Sequence, residues 1–348
     1  MIKKLLLIFC VAATVFPLAA DASAPYPNSP KKVRVAKETA MNTITVEAAR
    51  AHIGFLASDC LYGRKTGSDW ASVAAAYIES MLRQYGISPL GSSYSHPFDV
   101  TVRLRERNDS VRVAMKNVLG MIEGRNPDEY VVVGAHFDHL GVGAEVDGDS
   151  IYNGADDNAS GVSAVLQIAR AFAESGIQPE RNVIFAFWDG EEAGLYGSRH
   201  FVSTCAFLDK IKAYLNFDMI GRNNKPDRPR HTVYFYSDTK PAFGEWLRHD
   251  IAEYGLRLEP DYRPSDKSIG GSDNVRPFGH PRHLVSHRRP SRLSQAGRRS
   301  PAHQLRQGDE HNTRRVPQSL EPCQRGRLLT VCRNVVSFMP VKYEPPAA

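Results

Sequence analysis

Three apolar runs each deliver a histidine or carboxylate at their downstream end, and this repeated pattern restricts the fold more than any other feature of the chain. Residues 130–134 (YVVVG) run into Ala135-His136-Phe137-Asp138-His139, residues 182–188 (NVIFAFW) run into Asp189-Gly190-Glu191-Glu192, and residues 212–219 (KAYLNFDM) hold Asp218 near their end. Apolar runs of this length, rich in β-branched and aromatic residues, read as strands buried on both faces, the pattern of parallel sheets. Helical patterns alternate with them. From Thr66 onward, Trp70, Val73, Ala74, Tyr77, Ile78, Met81, Leu82 and Tyr85 recur on one helical face, which stops at Gly86. Val162, Val165, Leu166, Ala169, Phe172 and Ala173 mark a second helix closing near Gly176, and a short helical stretch begins at Leu195. A strand at 232–237 and a helix over about 243–254 complete the series. Strands alternating with helices predict an α/β domain with a mostly parallel, mixed central sheet covered on both sides.

In open α/β sheets, ligands gather just past the carboxyl ends of strands. Four segments there carry acids or histidines: His136 with Asp138, the loop 154–161 (GADDNASG) that opens the second helix, the Glu191-Glu192 pair, and Asp218. Gaps of 21, 35 and 26 residues separate His136, Asp157, Glu192 and Asp218, so each comes from a different segment and only the sheet brings them together. Zinc favours imidazole nitrogen and carboxylate oxygen, and two neighbouring ions require a shared carboxylate between them. Of two adjacent glutamates, one serves as ligand and the other as general base. Asp138, two residues after His136, has the place of a carboxylate that orients a metal-bound imidazole. A single strand-end Asp is commonly a helix cap, and a Glu-Glu pair is commonly solvated surface. Four such positions directly after apolar strands argue for a site instead. Cys60 and Cys205 read as small buried residues, with no sign of a cysteine nucleophile.

Charge would suggest a nucleic-acid partner, with 44 Lys+Arg against 38 Asp+Glu, a net of +6 and a pI near 9.0. The excess is local. Residues 275–333 hold 13 Arg, no Lys and three acids, a net of +10 that leaves the other 289 residues at −4. No nucleic-acid partner is therefore expected. At the other end, Lys3 and Lys4, the apolar stretch 5–20 and the triplet Ala20-Asp21-Ala22 read as a cleaved signal peptide over 1–22. About sixteen apolar residues interrupted by Pro17 fall short of the roughly 20 that a spanning helix needs. A secreted or periplasmic protein without a stable membrane anchor is expected, followed by an extended lead-in over 23–48.

The strings GAHFDHLGVG, YNGADDNASGVSAVLQIARAF, NVIFAFWDGEEAGLYGSRHF and YLNFDMIGR together resemble the co-catalytic di-zinc aminopeptidases, family 28 of the metallopeptidases. IGFLASDCLYGRKTGSDWASVAAAYI and KNVLGMIEG are similar to the family's upstream region. The resemblance implies a three-layer α/β/α sandwich, two zinc ions, and removal of N-terminal residues from peptides with a free N-terminus. It implies that His136 binds one zinc, Asp157 bridges both, Glu192 and Asp218 complete the ligands, Glu191 is the general base and Asp138 orients His136. The resemblance favours Asp157 over Asp156 because it stands four residues before Gly161, where the family's bridging Asp stands. The stretch 100–117 is too short for the protease-associated insertion of many relatives, so one catalytic domain is expected over 49–278. A one-zinc glutaminyl cyclase on the same scaffold, or a catalytically dead metal-binding homologue, are the alternatives.

The resemblance breaks near Val275. The family places a fifth ligand, a histidine, after the last core strands, and Gly270-Gly271-Ser272-Asp273-Asn274 resembles the start of that region. The 59 residues from Val275 to Arg333 hold 15 hydrophobic side chains, six Pro, and five histidines (His280, His283, His287, His303, His311) that match no family motif. This segment shows no strand alternation and no helical face. Three readings compete: a basic tail, a divergent loop in which a histidine such as His303 replaces the missing ligand, and a reading-frame slip in the gene. The abrupt onset of Arg-rich, Lys-free, Pro-rich sequence favours the slip, with 279–348 replacing the end of the domain. An exposed sheet edge and weak or absent activity are then expected. Sequencing the gene across codons 274–334 should show a shifted frame encoding an apolar strand and a His-containing loop; absence of such a frame would overturn the slip.

Overall fold

A computed structural model describes residues 30–104, 109–146, 148–222, 225, 227–236, 241–264 and 282–286. The expected signal peptide and most of the Arg-rich segment, His303 included, lie outside them. In chain order, the helices α1 (Pro30–Asn42), α2 (Val46–Leu56) and α3 (Asp69–Gln84) precede the short strand β1 (Ser88–Pro89) and the pair β2 (Ser95–Leu104) and β3 (Asp109–Ile122). Next come β4 (Asn126–His136), a small hairpin of β5 (Gly141–Val146) and β6 (Asp149–Tyr152), α4 (Gly161–Glu174) and β7 (Arg181–Trp188). The single turn α5 (Glu191–Gly194), α6 (Tyr196–Thr204), β8 (Ile211–Asp218), β9 (His231–Tyr236), α7 (Ala242–Glu253), β10 (Glu259–Pro264) and β11 (Arg282–Ser286) complete the series.

Nine strands form one sheet in the order β1-β3-β7-β4-β8-β11-β9-β10, with β2 paired to β3. The pairs β4–β7, β4–β8, β8–β11 and β9–β10 are parallel, whereas β3–β7 and β9–β11 are antiparallel. The parallel centre explains the uninterrupted apolar runs. Along β7, Val183, Phe185 and Phe187 enter the layer shared with α1 to α4 and α7, while Ile184, Ala186 and Trp188 enter the layer under α6. Each large side chain buried this way contributes about 1.5–3 kcal/mol. The fold is thus a three-layer α/β/α sandwich with a mixed sheet. The valine run of β4 ends at Gly134 for a packing reason: a Cβ there would lie 2.9 Å from Tyr214 Cε2 and 3.0 Å from Trp188 Nε1. Those two side chains are bonded to each other, Trp188 Nε1 donating to Tyr214 Oη at 2.7 Å.

Several expectations need correction. The described part of the lead-in, residues 30–48, is helical rather than extended. Val33, Ala36, Ala40 and Met41 recur at helical spacing and are buried, within a run whose overall polarity hides the pattern. Thr45 then caps α2 by accepting from Ala48 N, while its own N–H donates to Gln167 Oε1 of α4 at 2.9 Å. The buried face of α3 is carried by Ala71, Ala74, Ala75, Ile78 and Leu82, so that Trp70 and Val73 are exposed; Trp70 packs instead on Tyr62, ring centroids 4.8 Å apart. Cys60 is exposed and Cys205 half-buried, neither in a disulfide, contrary to the expectation of two buried residues. Within the Arg-rich segment, where no strand was expected, β11 fills the place between β8 and β9, with Leu284 opposite Asn216 and Val285 opposite Phe217. Unpaired backbone groups along β8 and β9 accept any chain that can extend there, and main-chain pairing does not read side-chain pattern.

His52 of α2 is buried between two phenols, Nδ1 at 2.8 Å from Tyr77 Oη and Nε2 at 3.2 Å from Tyr85 Oη. Burial, reinforced by the charge of Arg170, pushes its pKa down to about 4. The folded imidazole stays neutral while the unfolded one takes a proton near pH 6.5, so stability falls as pH drops from 6.5 to about 4 and is flat below. Urea unfolding of the wild type and of His52→Gln at pH 7 and 4.5 should show the wild type losing roughly 2 kcal/mol more than the variant across that interval. Equal losses would contradict this account.

Candidate metal centre

The downstream ends of the parallel strands β4, β7 and β8 converge with the irregular turn 155–160 ahead of α4. His136, the last residue of β4, is fully buried. Its Nε2 lies 3.3 Å from Asp157 Oδ1, 3.5 Å from Asp218 Oδ1 and 3.9 Å from Glu191 Oε2. Ligands of a tetrahedral zinc with bonds of about 2.0–2.1 Å are separated by about 3.3 Å, so the first two spacings suit one ion. Donor atoms of His136, Asp157 and Asp218 lie within 4.8 Å of one another, as do those of His139, Asp157 and Glu192. Asp157 belongs to both groups. Glu191 Oε1 and His139 Nε2 are buried without a hydrogen-bond partner among the described residues, and a donor set of imidazole and carboxylate matches zinc.

Burial raises the Glu191 carboxyl well above the usual range; His136 opposes the shift, and Asp218, Glu192 and Asp138 add to it. Burial acts to lower the pKa of His136, but Glu191, Asp138, Asp157 and Asp218 overcome it and hold the ring well above its ordinary value. The cluster draws positive charge inward. Asp189, one residue beyond β7, is pushed up to about 7 by burial and by the Asp138 charge.

Side chains that carry no chemistry themselves fix this geometry. Asp138 Oδ1 accepts from Glu191 N at 3.0 Å, and Oδ2 accepts from Glu192 N at 3.2 Å and from the Thr66 hydroxyl at 2.6 Å. Asp138 thus positions both glutamates. Toward His136 Nδ1, its main-chain oxygen stands at 3.2 Å and its carboxylate at 3.6 Å. Asp156 Oδ1 accepts from Gly221 N and Arg222 N at 2.8 and 3.0 Å, tying the turn to the chain beyond β8. Asn158 ties the turn to β8 itself, donating to Phe217 O at 2.8 Å. Between the neighbouring aspartates, Asp157 is the one within both donor groups.

Arg64 was given no role by the sequence. It is 1% exposed, and its guanidinium donates to the carbonyls of Leu56, Phe137, Asn153 and Gly154. Burial lowers its pKa to about 10 against the pull of Asp138, Asp157 and Glu192, so it remains charged at neutral pH. His139 was likewise passed over although it stands in the same five-residue string as His136. The signal available was its position at the strand end. The five late histidines lie outside the described residues, apart from the main chain of His283 in β11.

Residues 117–279 match the family model described as peptidase family M28. These 163 residues are just under half of the chain, and over them it is similar to peptidase family M28. An aminopeptidase of Pseudomonas aeruginosa is 44% identical over 110 residues, which are 31% of this chain and 18% of the relative. The leupeptin-inactivating enzyme 1 of Streptomyces exfoliatus is 33% identical over 145 residues, 41% of this chain and 30% of the relative. The chain spans less than a third of the length of these curated relatives. The Legionella pneumophila LapA aminopeptidase shares the fold with a TM-score of 0.60 at 20% identity, over 97% of this chain and 79% of that one.

Replacing Arg64 by Met would remove the donor from four buried carbonyls. At about 1–3 kcal/mol for each group left unsatisfied, Arg64→Met should lower unfolding free energy by at least about 3 kcal/mol in urea titrations. A loss under about 1 kcal/mol would mean that the guanidinium does not hold these segments together.

Proposed function

We propose that the M28 domain of this chain is a zinc-dependent exopeptidase that removes N-terminal residues from peptides. The observation that carries this reading is the pair of buried donor groups sharing Asp157, with Glu191 beside them. His136, Asp157 and Asp218 would hold one ion; Asp157 and Glu192 contribute to the second. When bound, zinc supplies Lewis-acid activation of water and of the scissile carbonyl. The chain's own residues then move the protons. Glu191, its basicity raised by burial and by neighbouring carboxylates, accepts a proton from the attacking water and returns it to the departing amine. Asp138 keeps Glu191 in reach of that water through the bond to its main-chain N–H.

The catalytic unit proposed begins at α1 rather than at residue 49, because α1 and α2 contribute to the core against which α4 packs. Residues 1–22 are proposed to export it. Among the described residues no helix is long and apolar enough to cross a membrane. The second donor group supports two ions, and with them the peptidase over a one-ion cyclase. Activity is proposed to be low, because the region after Ser272 lacks the histidine-bearing loop that the family pattern requires.

Zinc-loaded protein should hydrolyse aminoacyl-p-nitroanilides slowly but not their N-blocked forms, and a chelator should abolish turnover. Glu191→Gln should reduce kcat about 10²–10⁴-fold while retaining zinc. Zinc binding with no hydrolysis of any free-amine substrate would replace this reading with that of a metal-binding homologue.

A further inference from the structure

We propose that His139 supplies the imidazole of the second metal site, with Asp157 and Glu192, so that both ions are held by residues 136–218 alone. The inference rests on the metal-centre reading above and adds to it a ligand that the family pattern takes from elsewhere in the chain. Its basis is geometric. The His139 ring is 1% exposed, and Nδ1 faces Glu192 Oε1 at 3.0 Å. Donor atoms of His139, Asp157 and Glu192 lie within 4.8 Å of one another, and Asp157 is shared with the His136 group. Two imidazoles three residues apart thus flank one bridging carboxylate from the same strand end.

The ring's placement is built rather than incidental. The His139 N–H donates to Arg64 O at 3.0 Å as part of a parallel bridge between Lys65 and His139, which fixes the backbone. Gly154 adopts φ +64°, and a Cβ there would lie 2.6 Å from His139 Cδ2 and 2.4 Å from Asp157 O. Glycine at this position is what lets the ring and the bridging residue approach each other.

The hydrogen-bond inventory points to a cation. His139 Nε2 is buried and has no hydrogen-bond partner among the described residues. A neutral imidazole carries one proton. If Nδ1 holds it, a bond to Glu192 forms and the Nε2 lone pair is left buried and unused. If Nε2 holds it, the Nδ1 lone pair faces a carboxylate at 3.0 Å, which is repulsive unless a cation lies between them. A divalent ion bound by whichever ring nitrogen is unprotonated gives that lone pair a partner, and it recruits Glu192 and Asp157 as well. Zinc's preference for mixed nitrogen and oxygen donors identifies it as the class of ion. A purely orienting role, with Nδ1–H bonded to a ligating Glu192, is the competing account.

Zinc content and affinity of the purified full-length chain decide between them, measured by elemental analysis after dialysis and by calorimetric zinc titration. The wild type should hold two ions, His303→Ala two, and His139→Ala one, with affinity for the lost ion reduced well beyond 100-fold. Outer-sphere partners weaken binding about 10–100-fold, so His139→Ala that retains two ions within that range overturns ligation. One ion in both wild type and His139→Ala also overturns it while leaving the metal-centre reading intact. No ion in any form overturns both. If His139→Ala fails to fold by circular dichroism, zinc anomalous diffraction on the wild type decides. A second ion about 2.0–2.1 Å from a His139 ring nitrogen supports the assignment, and one more than about 3 Å away, or none at all, removes it.

Discussion

Everything at the strand ends depends on one electrostatic constraint: Asp138, Asp157, Glu191 and Asp218 are buried together, with Glu192 beside them. Carboxylates removed from water are unfavourable unless they gain cations or dense hydrogen bonding. The chain answers in three ways. Asp138 is satisfied by two main-chain N–H groups and a hydroxyl. Arg64 places a permanent charge whose field reaches Asp138, Asp157 and Glu192. The remaining demand falls on His136 and Glu191, whose raised pKa values express a requirement for positive charge that metal ions would meet. The site is a local instability maintained by the packed sheet beneath it.

That sheet explains why the instability is tolerated. Trp188, Phe187 and Phe217 sit immediately upstream of the acidic loops and are fully buried. Their packing on both faces makes the strand ends rigid anchors, so that donor atoms of His136 and Asp157, 21 positions apart, and of Asp157 and Glu192, 35 apart, lie within 4.8 Å. Turn residues then set orientation. Asn158 and Asp156 bind the main chain at the end of β8 and just beyond it, coupling the Asp157 turn to the strand end that carries Asp218. A shift in one donor group would therefore be transmitted to the other through the shared aspartate.

The central strands and the acids at their ends were readable because burial on both faces leaves an unmistakable apolar run, and because metal chemistry admits few residue types. α1 was not, since its buried Val33, Ala36 and Ala40 are diluted among lysines and glutamate, and the fraction of apolar residues conceals their spacing. Trp70 misled because size suggests burial, yet the small residues Ala71, Ala74 and Ala75 are what allow α3 to approach the core. Arg64 left no trace because its partners are carbonyls, which every residue possesses. His139 needed the tertiary fold: beside His136 in sequence it reads as redundant, and only the approach of Glu192 from the turn α5 after β7 gives it a role.

The strand β11 bears on how far the C-terminal anomaly reaches. Its pairing with β8 runs from Arg282 opposite Tyr214 to Ser286 opposite Asp218, so its last pair is level with a candidate metal ligand. A parallel neighbour at that level restrains the main chain of Asp218 by hydrogen bonds whatever its side chains are. Loss of family-like sequence after Val275 therefore does not by itself release the third strand end. Two requirements of a family domain are separable here: closing the sheet asks only for a backbone able to extend, whereas completing the metal sphere asks for a particular imidazole. The first is met by a segment whose sequence shows no strand alternation. The second must then be judged by donor atoms near Glu192, where the described chain offers His139.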